Sequence, residues 1–271
     1  DTLGETELVD LRCQLEKLEL TPLVSLVMPV YDPQAEDLRR AIASVQAQVY
    51  QHWELCICDD ASPSAQTRLL LEAVARDEPR IRLAFHAKNK HISHATNTAI
   101  GLARGPYIAF LDHDDELREH ALLTVVQMFA NHPGLKVLYS DEDKIDQSGV
   151  RFDPYFKPDF NLGLLRSHNY MCHFAVYERG LIDQLGGLRP GFEGAQDYDL
   201  ALRAVDAVHP HEIGHVSKVL YHWRTATGST ASGHGNKNYA FEAGRRALAA
   251  HLQRRGIRGE VIEAPEAPGM Y

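Results

Sequence analysis

The segment Phe110-Leu111-Asp112-His113-Asp114-Asp115 runs an apolar stretch straight into three carboxylates. Crowded carboxylates repel one another unless a cation sits among them, and hard oxygen donors are what Mg²⁺ or Mn²⁺ takes. Asp112 and Asp114 lie two apart, so both reach one site where the chain stays extended. Mg²⁺ uses one or two protein carboxylates and fills its shell with water and substrate phosphates, so this pair fits a metal–diphosphate site. The competing reading is a solvated turn in which Asp115 caps the following helix. A second pair, Asp59-Asp60, closes the apolar run at residues 54–58. There it could accept hydrogen bonds from a base or a ribose, or cap a helix. Pro29-Val30-Tyr31 ends a third run, and Tyr31 offers a face on which a flat ring stacks. Arg224, in Tyr221-His222-Trp223-Arg224, has the planar fork that pairs with phosphate in bidentate fashion. The sequence has no GxGxxG and no Walker motif, which excludes a standard dinucleotide-binding domain and a P-loop enzyme.

These residues need a scaffold that brings strand ends together. Residues 23–30 are nearly all apolar, as a strand buried on both faces of a parallel sheet must be. Leu38, Ile42 and Val45 mark a helix after it. Strands at 54–58, 80–85 and 107–111 alternate with helices at 67–76 and from Ser93 to Gly105-Pro106. The order βαβαβαβ implies a doubly wound, mostly parallel α/β sheet that binds ligands at its carboxyl edge. After about residue 145 the rhythm fades: Gln147-Ser148-Gly149 reads as a hairpin turn, an aromatic, Pro-rich stretch follows, and further helices fall near 197–208 and 239–255. Leu8, Leu11, Leu15 and Leu18 form one face of an N-terminal helix, too short for a self-sufficient coiled coil and suited to docking on its own domain or an upstream module.

Composition bounds the function. The chain has 271 residues, with 28 Lys plus Arg against 37 Asp plus Glu, a formal net charge of −9. That balance excludes a general nucleic-acid binder, which needs a basic face. No apolar run approaches the roughly 20 residues that span a bilayer. The four cysteines (Cys13, Cys56, Cys58, Cys172) form no CxxC pair, consistent with a reducing compartment and no zinc framework. A chain that starts at Asp1 and stops at Tyr271 reads as a module of a longer polypeptide.

Taken in order, VSLVMPVYDP, CICDDAS and HATNTAIGLARGPYIAFLDHDDEL resemble the core of the family 2 glycosyltransferases, which have the GT-A fold. The resemblance continues through VLYSDEDKID, FKPDFN, GGLRPGFEGAQDYDLALR and VLYHWRTATGSTA, covering about residues 22–256. The later blocks are similar to modules of multi-domain bacterial transferases for O-antigen and related surface polysaccharides. This implies an N-terminal helical segment at 1–21, a GT-A domain at 22–256 (nucleotide-binding half 22–115, acceptor and catalytic half 116–256) and a C-terminal linker at 257–271.

What the resemblance implies for chemistry is transfer of a sugar, with inversion, from a nucleotide-diphosphate sugar to a glycan hydroxyl, assisted by Mg²⁺ or Mn²⁺. Pro29, Val30, Tyr31 and Asp60 match the positions that hold the nucleoside. Asp112-His113-Asp114 matches the DxD motif, with Asp112 and Asp114 managing the metal and the His113 backbone touching the donor. Asp197, in Gln196-Asp197, matches the general base, and His222 matches a histidine that completes metal or diphosphate binding. Asn97 falls in a donor-contacting Arg-Asn pair that here reads Thr96-Asn97. His91 stands where relatives often have Gly, and Gln196 where Glu is usual. Gly228-Ser229-Thr230 would suit a loop that closes over the donor. The donor is UDP-, dTDP- or GDP-linked, and the acceptor is a lipid-linked glycan, implying a cytoplasmic protein peripheral to the inner face of the cell membrane.

Two rivals stay open on the sequence: a sugar nucleotidyltransferase, which releases pyrophosphate, and a catalytically silent saccharide-binding or scaffolding module. Among weaker features, Asp141, Glu142, Asp143 and Asp146 could face the acceptor or a donor hydroxyl, but read first as a solvated loop. His209, His211 and His215 lack the partners of a zinc site. Cys56 and Cys58 read as core residues, Trp53 as core or sugar platform, and Trp223 as a site residue.

Overall fold

The computed structural model describes residues 4–19, 21–225, 237–267 and 269–271. The chain runs α1 (Glu5–Glu16), β1 (Val24–Val30), α2 (Ala35–Gln46), β2 (Trp53–Asp59), α3 (Ala65–Asp77), β3 (Ile81–Phe85), α4 (His91–Leu102) and β4 (Tyr107–Phe110). The second half adds β5 (Glu116–Leu117), α5 (Ala121–Asn131), β6 (Val137–Ile145), β7 (Arg151–Tyr155), α6 (Leu162–Ser167) and β8 (Ala175–Glu178). It ends with α7 (Arg179–Leu185), α8 (Gln196–Ala207), β9 (Ile213–Arg224) and α9 (Lys237–Arg254).

The strands form one sheet in the order β3-β2-β1-β4-β8-β6-β9-β5, with β7 paired to the outer part of β6. Following the pairings, β1, β2, β3, β4, β6 and β9 all run the same way, while β8, β5 and β7 run against them. The parallel sheet the sequence implied is therefore present, and antiparallel β8 splices its two halves. Every residue of β1 and β2 is buried, as strands covered on both faces must be. Apolar side chains on the two faces separate into two cores. Met28 and Leu55 pack with α2 and α5, while Val27, Cys56 and Cys58 pack with α4, α8 and α9.

The chain returns from β1 to opposite sides of itself, to β2 and then to β4, so the crevice opens at their carboxyl ends. The other end is closed by a buried polar cluster. The Ser25 hydroxyl donates to Glu54 (2.6 Å) and accepts from the Gly105 N–H (2.8 Å). Gly105 is required here, because a Cβ would lie 2.3 Å from the Leu23 carbonyl oxygen.

Two expectations change. Asp141, Glu142 and Asp143 do not belong to a solvated loop; they are buried on β6, each matched to a basic partner from elsewhere in the chain. Only Asp146 behaves as a turn residue, accepting from the Ser148 and Val150 N–H groups (2.8 and 2.9 Å) and so setting the β6–β7 hairpin. The tail read as a linker instead packs on the domain. The Tyr271 N–H donates to the Ser167 carbonyl (2.9 Å) and its hydroxyl to that of Phe241 (2.5 Å). Helix α1 docks on its own domain through Leu11, Leu15 and Leu18. Trp53 is core, under the Arg80 guanidinium. Among the described residues, no helix is long and apolar enough to cross a membrane.

Candidate active site

The crevice is a cavity of about 870 Å³. Its walls collect the ends of three parallel strands: Pro29 and Val30 at the end of β1 with Tyr31 just beyond, Asp60 after β2, and Asp112, His113 and Asp114 after β4. Tyr31 is 48% exposed, so its ring face is free to stack. Asp60 is already engaged, accepting from the Lys90 N–H (3.0 Å to each oxygen) and pairing with His86 Nδ1 (2.5 Å). His113 turns its ring toward the Pro29 carbonyl (Nδ1 3.3 Å). His91, at the start of α4, also lines the cavity and has φ +69°, a backbone state that glycine adopts without strain.

Strand β9 fixes the acidic segment. The Tyr221 hydroxyl donates to Asp115 (2.6 Å) and accepts from the Asp112 N–H (3.3 Å), and the Arg224 N–H donates to Asp115 (2.7 Å). Asp115 therefore does not cap a helix; it ties this segment to β9. Burial pushes the Asp115 carboxyl well up, helped by Asp114 and Asp112, and burial with Asp114 likewise raises Asp112. Burial and the mutual repulsion of these aspartates thus both disfavour their charged forms. That is the environment a divalent ion relieves, with Asp112 and Asp114 facing the cavity. Among the described residues no three His, Cys, Asp or Glu side chains close on one point, so such an ion would complete its shell with water and phosphate oxygens.

Three expected residues lie away from the cavity wall. The Asn97 amide donates to the Leu188 carbonyl (2.7 Å) and accepts from the Leu188 N–H (2.8 Å), pinning the turn before α8. His222 is buried, with Nδ1 2.6 Å from Asp143. Arg224 is completely buried, and its guanidinium donates to the carbonyls of Asp114 (2.9 Å) and Asp146 (3.0 Å) and pairs with Glu116. Both of its faces are spent on protein, so it braces the acidic segment rather than reaching a phosphate. Gly228-Ser229-Thr230 lies outside the described residues.

Across the cavity stands Asp197, in the first turn of α8, where the helix dipole favours a carboxylate. Its side chain opens into the cavity and accepts from the Asn169 amide (2.8 Å). Surrounding protein pushes its carboxyl up, and the nearby His173 pulls it back down. Gln196 turns to its own loop, accepting from the Gly194 N–H (2.8 Å). Asp197 also lines a second cavity of about 640 Å³, behind which β6, β7 and α9 stand.

His173 is the residue that local sequence reading missed. It lines both cavities, with Glu142 2.6 Å from its backbone N–H and 3.1 Å from Nδ1. Tyr221 stacks on its ring at 5.5 Å and Trp223 leans on it at 4.8 Å. Burial opposes its charge, yet Glu142, Asp115 and Asp112 outweigh that and hold the imidazole at about 9. Burial would likewise raise Glu142, but His173 and Lys157 hold it down at about 2. Nothing within a few residues of His173 announces this; its partner is 31 residues away.

Comparison with known proteins now bears on this geometry. Residues 25–186 match the profile of glycosyl transferase family 2. The chain belongs to that family. It is 42% identical over 255 residues to the O-antigen biosynthesis protein RfbC of Myxococcus xanthus, covering 94% of this chain and 20% of that protein. It is 30% identical to the putative colanic acid biosynthesis glycosyl transferase WcaA of Escherichia coli K12, covering 74% of this chain and 72% of that one. An uncharacterized Sinorhizobium fredii protein, y4gI, is 48% identical over 89% of this chain and 26% of its own length. The chain thus spans about a quarter or less of the first relatives it matches. Among solved structures, S. aureus TarS 1-349 in complex with UDP-GlcNAc superposes with TM-score 0.66 at 17% identity, over 84% of this chain and 66% of that one. The mannosyltransferase PcManGT from Pyrobaculum calidifontis, in complex with GDP-Man and Mn²⁺, gives 0.64 at 18% identity, over 95% and 72%. These likenesses establish the GT-A fold for this family 2 chain.

Proposed function

We propose that this glycosyltransferase moves a sugar, with inversion, from a nucleotide-diphosphate donor in the first cavity to a hydroxyl of a surface-polysaccharide glycan, with Asp197 as general base. The observation that carries the reading is the position of Asp197, on the wall shared by the two cavities and across from Asp112 and Asp114. An acceptor hydroxyl beside Asp197 attacks the anomeric carbon from the side opposite the diphosphate. The new C–O bond forms as the bond to the diphosphate oxygen breaks, and Asp197 takes the hydroxyl proton. Asn169 orients the carboxylate for that transfer. Pro29, Val30 and Tyr31 position the nucleoside, and Asp60, held by His86 and the Lys90 N–H, shapes the far wall. Asp112 and Asp114 would hold a divalent cation, which supplies charge neutralisation for the departing diphosphate. Residues that do not reach the cavity, Asn97, Arg224 and His222, act as supports for those that do.

Relatives in O-antigen and colanic acid biosynthesis support the polysaccharide assignment, and the UDP-GlcNAc and GDP-Man complexes support a nucleotide-sugar donor. The test is calorimetric binding of UDP, dTDP and GDP, each with and without Mn²⁺, to the wild type and to Asp114→Ala. One nucleotide should bind only with metal and lose that binding in the variant. A folded wild type that binds none of the three would overturn the reading in favour of a silent module.

A further inference from the structure

The second cavity has a charge inventory that narrows its occupant. Glu142 is matched by Lys157 Nζ (3.0 Å) and His173 Nδ1 (3.1 Å). Asp143 is matched by Arg151 Nε (2.7 Å) and His222 Nδ1 (2.6 Å), and Asp153 by Lys144 Nζ (2.5 Å). Among the described residues, the two basic side chains that line this cavity, Lys144 and His173, are thus each already held by a carboxylate. Asp197 is the one carboxylate there without a cationic partner, its hydrogen bond coming from an amide. The remaining wall is aromatic: Tyr155, 38% exposed, with Phe241 and Tyr271.

We propose that this cavity takes an electrically neutral pyranose, the terminal sugar of the acceptor, and discriminates against uronate- or phosphate-bearing sugars. The proposal rests on the transferase reading only for the word acceptor; the sugar site stands on its own contacts. Hydroxyls of a neutral ring donate to carboxylate oxygens, and its apolar C–H face lies against an aromatic ring. A carboxylate or phosphate on the same ring would meet a lining with no unpaired cation and with Asp197 nearby, a repulsion that selects against it.

The experiment is saturation-transfer NMR and titration of the full chain with matched probes, p-nitrophenyl glucoside against p-nitrophenyl glucuronide and the galactose pair. Binding of each uronide should be at least tenfold weaker than that of its neutral twin. Tyr155→Ala and Phe241→Ala should weaken the neutral probes several-fold while nucleotide binding to the first cavity is unchanged. Asp153→Asn frees Lys144 from its partner. Asp153 sits at φ +49°, which Asn also tolerates, so the backbone is kept. That variant should strengthen uronide binding about tenfold and leave the neutral probes unchanged. Equal binding of both classes to the wild type, binding of neither, or neutral binding indifferent to both aromatic variants would overturn the proposal. Nucleotide binding without sugar selectivity would defeat this inference alone. Selective sugar binding without nucleotide binding would defeat the transferase reading alone.

Discussion

Replacing Arg224 with Met separates two roles for one residue. Read from the sequence, Arg224 is a phosphate contact; in the structure it is fully buried beneath the acidic segment. Met keeps much of the volume and removes the charge and all the donors. The carbonyls of Asp114 and Asp146 then lose their donors, and the buried Asp37, 3.4 Å from Nε, loses its cation. Removing one member of a buried pair costs about 3–5 kcal/mol. Glu116, the other partner, keeps some solvent contact, so the lower part of that range applies, about 3–4 kcal/mol. For a chain of this size that is a melting temperature lowered by roughly 6–16 °C. The assay is urea and thermal unfolding, with nucleotide titration below the transition. Binding should weaken only modestly, through the loosened Asp114. An unchanged melting temperature together with a hundredfold loss of nucleotide affinity would refute the bracing role and restore the phosphate contact.

Other substitutions test the remaining parts. Asp197→Asn should lower the transfer rate by about 10²–10⁴ while donor affinity, measured by calorimetry, stays within twofold. His173→Gln removes the charge that holds the Asp197 carboxyl down, so the acid limb of the pH–rate profile should move to higher pH; a limb that stays put sinks the coupling. The Glu142–His173 pair also sets a stability window. His173, raised to about 9, contributes fully below its ordinary 6.5 and loses that contribution as pH rises through 9. Glu142, lowered to about 2, contributes fully above its ordinary 4.5 and loses it as pH falls through 2, so the wild type should outlast the variant most between those ordinary values in urea titrations. His91→Gly relieves a left-handed residue costing roughly 1–2 kcal/mol and returns about 0.4–1 of that as unfolded-state entropy, so urea unfolding should report a gain of about 0.5–1 kcal/mol.

The strand ends that line the first cavity were legible because their signals are local. An apolar run ending in Asp112 or Asp60 is a strand end by its own pattern, and parallel strands put their carboxyl ends on one edge whatever their order. The supporting network was illegible because its members are paired across long stretches of chain. Asp141 meets His215 74 residues away, Asp143 meets His222 79 away, and Asp115 meets the Arg224 backbone 109 away. Four acidic residues in the stretch 141–146 look solvated when only neighbours are counted, since burial becomes affordable only once the distant bases arrive. Asn97 and His222 were expected as ligand contacts from the resemblance, and Arg224 from its side-chain chemistry. Each is polar and near the right elements, and each is spent on holding another loop.

Strand β9 explains why those supports matter to chemistry on both sides. Tyr221 fixes Asp112 and Asp115 on the donor side, and its ring stacks on His173. His222 and Trp223 reach the other way, to Asp143 and into the second cavity. A displacement of β9 would therefore disturb the carboxylates lining the first cavity and the wall of the second together. Such a displacement is opposed at both ends of β9, which pairs in parallel with β6 on either side of a register shift and antiparallel with β5 at Tyr221 and His222. The inverting transfer proposed above requires the attacking hydroxyl, the anomeric carbon and the leaving oxygen in one line, and misplacement by about 1 Å can cost 10²-fold in rate. Holding both walls on one strand makes that line a property of the sheet rather than of the loops around it. It also places the burden of precision on buried residues such as Tyr221 and Asp115, which need touch no substrate to govern the rate.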